Sequence, residues 1–423
     1  MYSFHVIPTS YYAAKFATVK GFLIAYCSNK YTKNPKKEFL LAKVNGKSYR
    51  GVVRPMKLTF CEQKNMNCQL ETFYVNFNIP RKYLDNKQNL TIVDYGTKKK
   101  GIFKLYSGAA RSKQFNGITL CVPTLYWYNN WLQMFFFLEY WRKQSNIQIV
   151  IHYRSMSSTV IKMINLYVKH GNVFLMPTPP LPRQNGRDIE PFIFGFGSKI
   201  YLNSCMYSRN TKYVLAMDPD EYFHLYHKDR RESVFDFVEN EFKKVPHTHS
   251  INFANYKVSY RHRKITPSFK FSQKLLISKD TINKEGKSVV RTSKVGLIGY
   301  HIPIGKTPKT TYRVDTNRGI VLHARSNYIM RKIKGKFPQV VVFDDNELKN
   351  VVKHYQELKK ELGGELKIEY DIKIANSLKT YDRVDTKKIC SFDYESSRKY
   401  IEKLEDWVHA EDQCIMERLF IPF

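Results

Sequence analysis

One stretch constrains the chain more than any other: Lys212-Tyr-Val-Leu-Ala-Met-Asp218-Pro-Asp220-Glu221-Tyr-Phe. The apolar run Tyr213–Met217 reads as a buried strand, and it stops at three carboxylates within four residues. Unpaired carboxylates are costly to bury, so they belong where the strand leaves its sheet. In open α/β sheets that edge is where ligands bind. Aspartates two apart on an extended segment face opposite ways; Pro219 fixes φ between them and lets both turn toward one cation. Hard oxygen donors suit Mg²⁺ or Mn²⁺ carrying a phosphate. A bare Asp-x-Asp is more often a solvated acidic turn, so the surroundings must decide.

The surroundings are basic. The chain of 423 residues carries 70 Lys and Arg against 37 Asp and Glu, a net charge of +33. Such an excess draws anions: nucleotides, nucleic acid, acidic glycans or anionic membranes. The charge is uneven. Residues 1–110 hold 19 basic and 5 acidic residues, whereas residues 344–423 hold 14 and 18, so the two ends read as different modules. A hydrophobic content of 43% excludes general disorder. The seven cysteines form no Cys-x-x-Cys pair and no zinc spacing with histidine. Cys61 and Cys68 are the candidates for a local disulfide, and Asn89-Leu-Thr91 is a glycosylation sequon. No apolar run reaches the ~18 residues of a membrane-spanning helix.

Residues 1–114 read as a β-rich domain, with a hairpin predicted at Asn45-Gly46 and a strand over Thr72–Ile79. From Cys121 the pattern alternates strand and helix. Trp131, Met134, Phe135, Leu138 and Trp141 follow helical spacing. Strands follow at 146–153 and 173–176, separated by a helix capped by Ser157 or Ser158 and ended by Gly171. Residues 199–209 and 233–245 read as further helices. This β-α-β order predicts a mostly parallel sheet flanked by helices. Past 344 the character turns helical, with one helix through Leu348–Leu362 and a second through Tyr400, Ile401, Leu404, Trp407 and Val408. The domain reading is therefore 1–114, 115–343 and 344–423.

Two histidines end apolar runs. His323 follows Ile320–Leu322 and precedes Arg325, and His301 follows Gly296–Tyr300. An imidazole can complete a Mn²⁺ site and an arginine suits a diphosphate, although a histidine standing alone is more often structural. There is no glycine-rich phosphate loop, and neither Cys121 nor Cys205 has a base beside it in sequence. Basic–aromatic runs such as Tyr260-Arg-His-Arg-Lys264 are dispersed, which weakens a nucleic-acid reading.

In order along the chain, several short motifs resemble glycosyltransferase family 92. They are Cys121-Val-Pro-Thr-Leu-Tyr126, Glu139-Tyr-Trp141, Tyr153-Arg-Ser155-Met-Ser157, Leu166-Tyr167 through Gly171, and Tyr201-Leu-Asn203-Ser204-Cys205. Asp218-Pro-Asp220-Glu221, Lys287–Arg291 through His301, and His323-Ala-Arg325 complete the series, over roughly residues 20–345. Ser204 stands where the family has aspartate, Ala324 where it has an aromatic residue, and Pro219 where it has an apolar one.

The resemblance implies a GT-A-like α/β fold and inverting transfer of galactose from UDP-galactose to a glycan acceptor, with Mn²⁺ as cofactor and Mg²⁺ as the alternative. It implies Asp218, Asp220 and His323 at the metal, and Asp218, Asn203, Arg325 and Tyr153 at the donor. His301 is a further candidate. Glu221 is the nearest candidate base, with Asp188, Glu190 and Asp315 as rivals. The family sits in the Golgi behind an N-terminal membrane anchor that this sequence does not show. No nucleic-acid partner is expected. The alternatives are a glycan-binding relic, given Ser204 and Ala324, and a basic nucleic-acid-binding protein.

Overall fold

The computed structural model describes residues 3–6, 16–26, 39–56, 70–84, 89–106, 114–178, 190, 193, 197–226, 232–260, 275–281, 286–303, 310–324, 339–340, 342–363, 402–403 and 406–410. The N-terminal strands are β1 (Ser3–Val6), β2 (Phe16–Tyr26), β3 (Leu40–Val44), β4 (Lys47–Pro55), β5 (Leu70–Pro80), β6 (Asn89–Asp94) and β7 (Lys100–Tyr106). They close into a barrel in the order β1-β2-β5-β4-β3-β6-β7. Every pairing is antiparallel except the closing one, β1 with β7. The β3–β4 hairpin turns at Asn45 and Gly46, with φ of 48° and 73°, as a two-residue turn of this twist requires. Alternate residues, among them Val19, Leu40, Phe77 and Ile92, fill the barrel with an apolar core.

The second unit is an α/β sheet. Its elements run β8 (Phe115–Leu125), α1 (Trp131–Arg142), β9 (Ile147–Tyr153), β10 (Ser155–Ser157), α2 (Ser158–Lys169) and β11 (Val173–Pro177). Then come α3 (Ser198–Ser208), β12 (Thr211–Ala216), β13 (Glu221–Leu225), α4 (Val234–Lys244), β14 (Ser250–Tyr260) and β15 (Leu275–Thr281). The series ends with β16 (Lys287–Arg291), β17 (Thr311–Arg313), β18 (Gly319–His323), β19 (Gln339–Val340), α5 (Asp345–Glu361) and β20 (Trp407–His409).

The strands expected to pair in parallel do so: β11, β9, β8 and β12 form one parallel block. Beyond β12 the sheet is mixed, which corrects the expectation of a mostly parallel one. β16 runs antiparallel to both β12 and β14, and β18 runs parallel to β14 but antiparallel to β13. The physical reason is that these antiparallel neighbours are not consecutive strands, since β12 pairs with β16 and β13 with β18, so the β-α-β crossover rule does not set their direction.

Both faces of this sheet are covered, which explains its nearly continuous apolar runs. Leu120, Ile149, Ile151, Tyr213 and Leu215 face one core with Trp141, Phe137 and Tyr355 from the helices. Cys121, Val150, Val214 and Ala216 face the other, where α3 and the barrel's Phe22 and Met56 pack. A disulfide, Cys121–Cys205, fastens α3 to β8 across this second core with its Cα atoms 6.0 Å apart. The bridge expected from sequence, Cys61–Cys68, lies outside the described residues.

The C-terminal helix is present as α5, started by a capping box in which Asp344 and Glu347 satisfy each other's backbone N–H groups. The second expected helix is corrected at its end, where Trp407–His409 is a strand pairing with Ser155–Ser157; Tyr400, Ile401 and Leu404 lie outside the described residues. Trp407 and His409 both set their rings edge-on to Trp127, at 5.3 and 5.1 Å. That packing outweighs the helical spacing of the sequence. Among the described residues no helix is long and apolar enough to cross a membrane.

Candidate active site at the end of strand β12

β12 delivers Asp218 to the carboxyl end of the parallel block, beside β8, where Met217 N–H donates to the Cys121 carbonyl. A tight turn follows. Glu221 N–H donates to the Asp218 carbonyl at 3.0 Å, and Asp218 N–H donates back to the Glu221 carboxylate at 3.0 Å. The turn launches β13, whose first residue, Glu221, lies directly opposite His323 at the end of β18. Ala324 N–H donates to the Asp220 carbonyl at 2.7 Å and locks the two strand ends together. The acidic turn and the later histidine, 103 residues apart, are thus neighbours by backbone register; His323 Nε2 lies 3.2 Å from Asp220 Oδ2.

The three carboxylates differ in exposure. The Asp218 side chain is 35% exposed, Asp220 12% and Glu221 1%. Asp218 and Asp220 therefore line an accessible edge, and Glu221 lies beneath them. Its carboxylate accepts from Asn255 Nδ2 at 2.9 Å and sits 2.7 Å from Lys287 Nζ. Lys287 is fully buried and also reaches Asp218 Oδ2 at 2.8 Å. Burial pushes Glu221 up to about 7, against the pull of Lys287. Burial also opposes a charged Lys287, yet Asp218 and Glu221 hold its pKa above the ordinary lysine value. The cluster is one cation buried under a carboxylate pair, with a second pair, Asp220–His323, beside it.

Lys287 is set in place by the backbone before it. Gly286 has φ +64°, and a Cβ there would meet the Phe253 carbonyl oxygen at 2.2 Å, so no side chain fits. The Gly286 carbonyl faces His301 Nδ1 at 2.9 Å, which puts this candidate histidine one residue from Lys287. Tyr300 joins the same corner. Burial raises its pKa, and the charges of Asp218 and Glu71 raise it further. Its hydroxyl meets Ser198 Oγ at the start of α3. The next residue, Lys199, pairs with the buried Glu71 of barrel strand β5 at 3.3 Å. A chain of buried polar groups thus runs from the acidic turn into the barrel.

The other expected residues fall in three groups. Asn203 is enclosed, and its amide is spent on backbone: it donates to the Lys199 and Ile298 carbonyls and accepts from Ile298 N–H. It holds the segment that leads to Tyr300 and His301. Tyr153 ends β9 at the same edge of the sheet as Asp218, with its ring in the helical core and its carbonyl accepting from Thr178. Arg325 and Asp188 lie outside the described residues. Of the rival bases, Glu190 is buried against Arg154 at 3.2 Å. Asp315 precedes β18, at the end of that strand opposite His323.

The sequence reading gives no role to Lys287, Asn255, Tyr300 or Glu71. Lys287 carries a signal: a lysine opening the apolar run Ser-Val-Val after a glycine marks a cation entering a sheet. Asn255 and Glu71 carry none, because only strand pairing brings them here.

A family model for glycosyltransferase family 92 matches residues 116–389, about two thirds of the chain. The chain belongs to glycosyltransferase family 92. The matched span begins with β8 and contains the acidic turn, Lys287 and His323; the barrel precedes it. No curated protein matches the chain. Among solved structures, S. aureus TarS 1–349 in complex with UDP is similar at 14% identity and a TM-score of 0.25. That similarity covers 42% of this chain and 47% of that one. The same protein in complex with UDP-GlcNAc gives 14% identity, a TM-score of 0.24 and coverage of 42% and 46%. S. aureus TarS 1–349 alone gives 9% identity, a TM-score of 0.26 and coverage of 68% and 83%. In the first two the match spans less than half the length of the TarS chain.

Proposed function

We propose that this glycosyltransferase moves galactose from UDP-galactose to a glycan hydroxyl with inversion, at a GT-A-like site on the carboxyl end of β12. One observation carries the reading: the Asp218-Pro-Asp220 turn is locked by backbone hydrogen bonds to the strand that presents His323. The carboxylates of Asp218 and Asp220 are hard oxygen donors of the kind that suit Mn²⁺ or Mg²⁺, with the His323 imidazole set against Asp220. Among the described residues no group of three or more His, Cys, Asp or Glu side chains is placed to hold a metal ion. A cation here would therefore rest on one or two carboxylates and take its other ligands from water and phosphate. Asp220 would be the principal ligand. Asp218, with Lys287 on one oxygen, is the weaker donor and faces the ribose or the metal edge. When bound, the cation would neutralise the diphosphate leaving group.

The chain's own groups do the positioning. His323 fixes the Asp220 carboxylate. Lys287 and Asn255 hold Glu221, which in turn holds the Asp218 N–H, so the turn is pre-set before a donor arrives. Glu221 is enclosed on both oxygens and serves as the anchor of the turn rather than as the base for the acceptor hydroxyl, which must be within hydrogen-bond reach of the proton it takes. The Cys121–Cys205 disulfide supports maturation in an oxidising lumen, in keeping with a Golgi location.

A screen of UDP-sugars for UDP release, with Mn²⁺ and with chelator, tests this reading. Release from UDP-galactose that needs Mn²⁺ and disappears in Asp220→Asn is the expected result. A protein that binds no UDP-sugar would replace it with the glycan-binding relic.

A further inference from the structure

The barrel has two unlike sides. Phe22, Ile24 and Tyr74 on one side are packed against α3. The outward positions of β4, β3, β6 and β7 are not part of that contact. There the register builds a row across four strands: Arg50 opposite Leu41, Leu41 opposite Val93, and Val93 opposite Lys100. At ~4.8 Å per strand the row is about 14 Å wide, with a cation at each end and aliphatic side chains between. In the neighbouring row Phe39 stacks on Tyr95, with ring centres 4.4 Å apart. Arg50 sits 4.1 Å over Phe39, and Lys98 sits 4.0 Å over Tyr95. The result is an apolar strip whose rails of positive charge are one cation, Arg50, on one side and two, Lys98 and Lys100, on the other.

Acids are scarce on this face among the described residues. In 39–56 and 89–103 the one acid is Asp94. It shares the inward parity of the buried Leu90 and Ile92, and its carboxylate accepts from Gly96 N–H in the turn. Cations therefore outnumber acids along both rails, and a surface with that excess draws external anions.

We propose that this barrel face binds an acidic polysaccharide, with pyranose rings over the Leu41–Val93 strip and carboxylate or sulfate groups on the rails. The strip itself is flush, because Phe39, Leu41 and Val93 are all half-buried, and beside it a single aliphatic side chain, Ile102, stands out from the face. Insertion into a bilayer needs apolar side chains that protrude into the acyl boundary. Nucleic-acid bases need open aromatic faces, but Phe39 and Tyr95 are stacked on each other and each carries a cation. A polymer alternating apolar ring faces with anionic groups matches a strip flanked by cations. This site is separate from the transferase reading and stands or falls without it.

The test is binding of the full chain to heparin, with neutral dextran, oligo-dT and phosphatidylserine vesicles alongside, at about 0.15 M salt, where surface charges act over a short range. The variant Arg50→Glu/Lys98→Glu/Lys100→Glu is compared with Lys349→Glu/Lys353→Glu/Lys360→Glu on α5, which changes the net charge equally. Expected are heparin binding without dextran binding, at least tenfold weakening in the barrel variant, and less than twofold in the α5 variant. Thermal unfolding reports the fold, and the milder Arg50→Gln/Lys98→Gln/Lys100→Gln replaces the reversal if that fails to fold. Equal weakening in both variants would reduce the effect to net charge and overturn the proposal. So would failure to bind heparin, or tighter binding of oligo-dT or vesicles that the barrel variant abolishes.

Discussion

Two lysines, each almost fully buried, divide this molecule into two kinds of structure. Lys287 lies in the α/β sheet with two carboxylates within 2.8 Å, and these keep it charged. Lys20 lies on β2, on the side of the barrel that meets α3, with the Tyr74 ring 4.5 Å away. Among the described residues no carboxylate pairs with it, and burial lowers its pKa to about 8. The first charge belongs to a network that shapes the acidic turn. The second is a buried cation at a docking surface, met by an aromatic ring and, among the described residues, by no carboxylate. The buried lysine of the sheet is thus paired with carboxylates, and the buried lysine of the barrel packs against an aromatic ring. The family-model match covers the first lysine and not the second.

The comparison breaks most sharply at Asp220. Asp220→Asn keeps the shape and the contact with His323 but removes the charge that would hold the cation. Loss of that leaving-group stabilisation, worth several kcal/mol, predicts at least a ~10³-fold fall in transfer with the unfolding midpoint nearly unchanged. Near-normal Mn²⁺-dependent turnover in this variant would take the site away from β12.

Lys287→Met comes next. It leaves Asp218 and Glu221 facing each other over an apolar side chain, and breaking a buried pair in this way costs about 3–5 kcal/mol. Urea unfolding would read this directly. Adding Glu221→Gln removes the stranded charge and should recover most of the loss; if it recovers nothing, the network is not electrostatic in origin.

How far the sequence reached follows from the same contrast. Elements whose signals are local were legible: the Asn45-Gly46 hairpin, the helix from Trp131, the Ser157 cap and the strand that leads into the acidic turn. The end of the site near Asp220 was legible because strand chemistry places it at an edge. His323 came from the family resemblance, and the β13–β18 register sets it opposite Glu221. Contacts made across the sheet were not legible. Nothing local ties Asn255 to Glu221, or Lys199 to Glu71 128 residues away. Trp407 and Val408 follow a helical period, yet pairing with β10 and the ring of Trp127 hold them extended.

The disulfide was equally hidden, since its cysteines are 84 residues apart and only the α3–β8 packing joins them. Closing so long a loop constrains the unfolded chain, so Cys121→Ala/Cys205→Ala should lose about 2–5 kcal/mol. The same loss on reduction of the wild-type protein, and none on reduction of the variant, would assign the effect to this bond. Because the bond ties the sheet to the helix that carries Lys199, the loss should loosen the barrel's docking as well. Limited proteolysis between residues 106 and 115 is the check.

Lys20 gives the smallest effect and the cleanest sign. Its folded pKa, about 8, is below the ordinary 10.5 that the unfolded chain keeps. Below pH 8 the side chain is charged in both states, and the folded state bears the whole cost of burying it. Between pH 8 and 10.5 the folded protein gives up the proton first. The unfolded state then binds more protons, so stability rises with pH. Above 10.5 neither state is charged and the cost is gone. Lys20→Met, which keeps most of the length of the side chain without its charge, should therefore stabilise the protein by about 2–3 kcal/mol at pH 7, from a shift of roughly 2.5 units at 1.36 kcal/mol each with allowance for partial hydration. The gain should shrink through pH 8–10 and vanish near 10.5. Taking the difference between variant and wild type at each pH cancels the other titrating groups. A gain that stays constant across that range would mean that the methionine side chain merely packs better than lysine, and a loss at pH 7 would mean that Lys20 has a counter-charge and belongs with Lys287 after all.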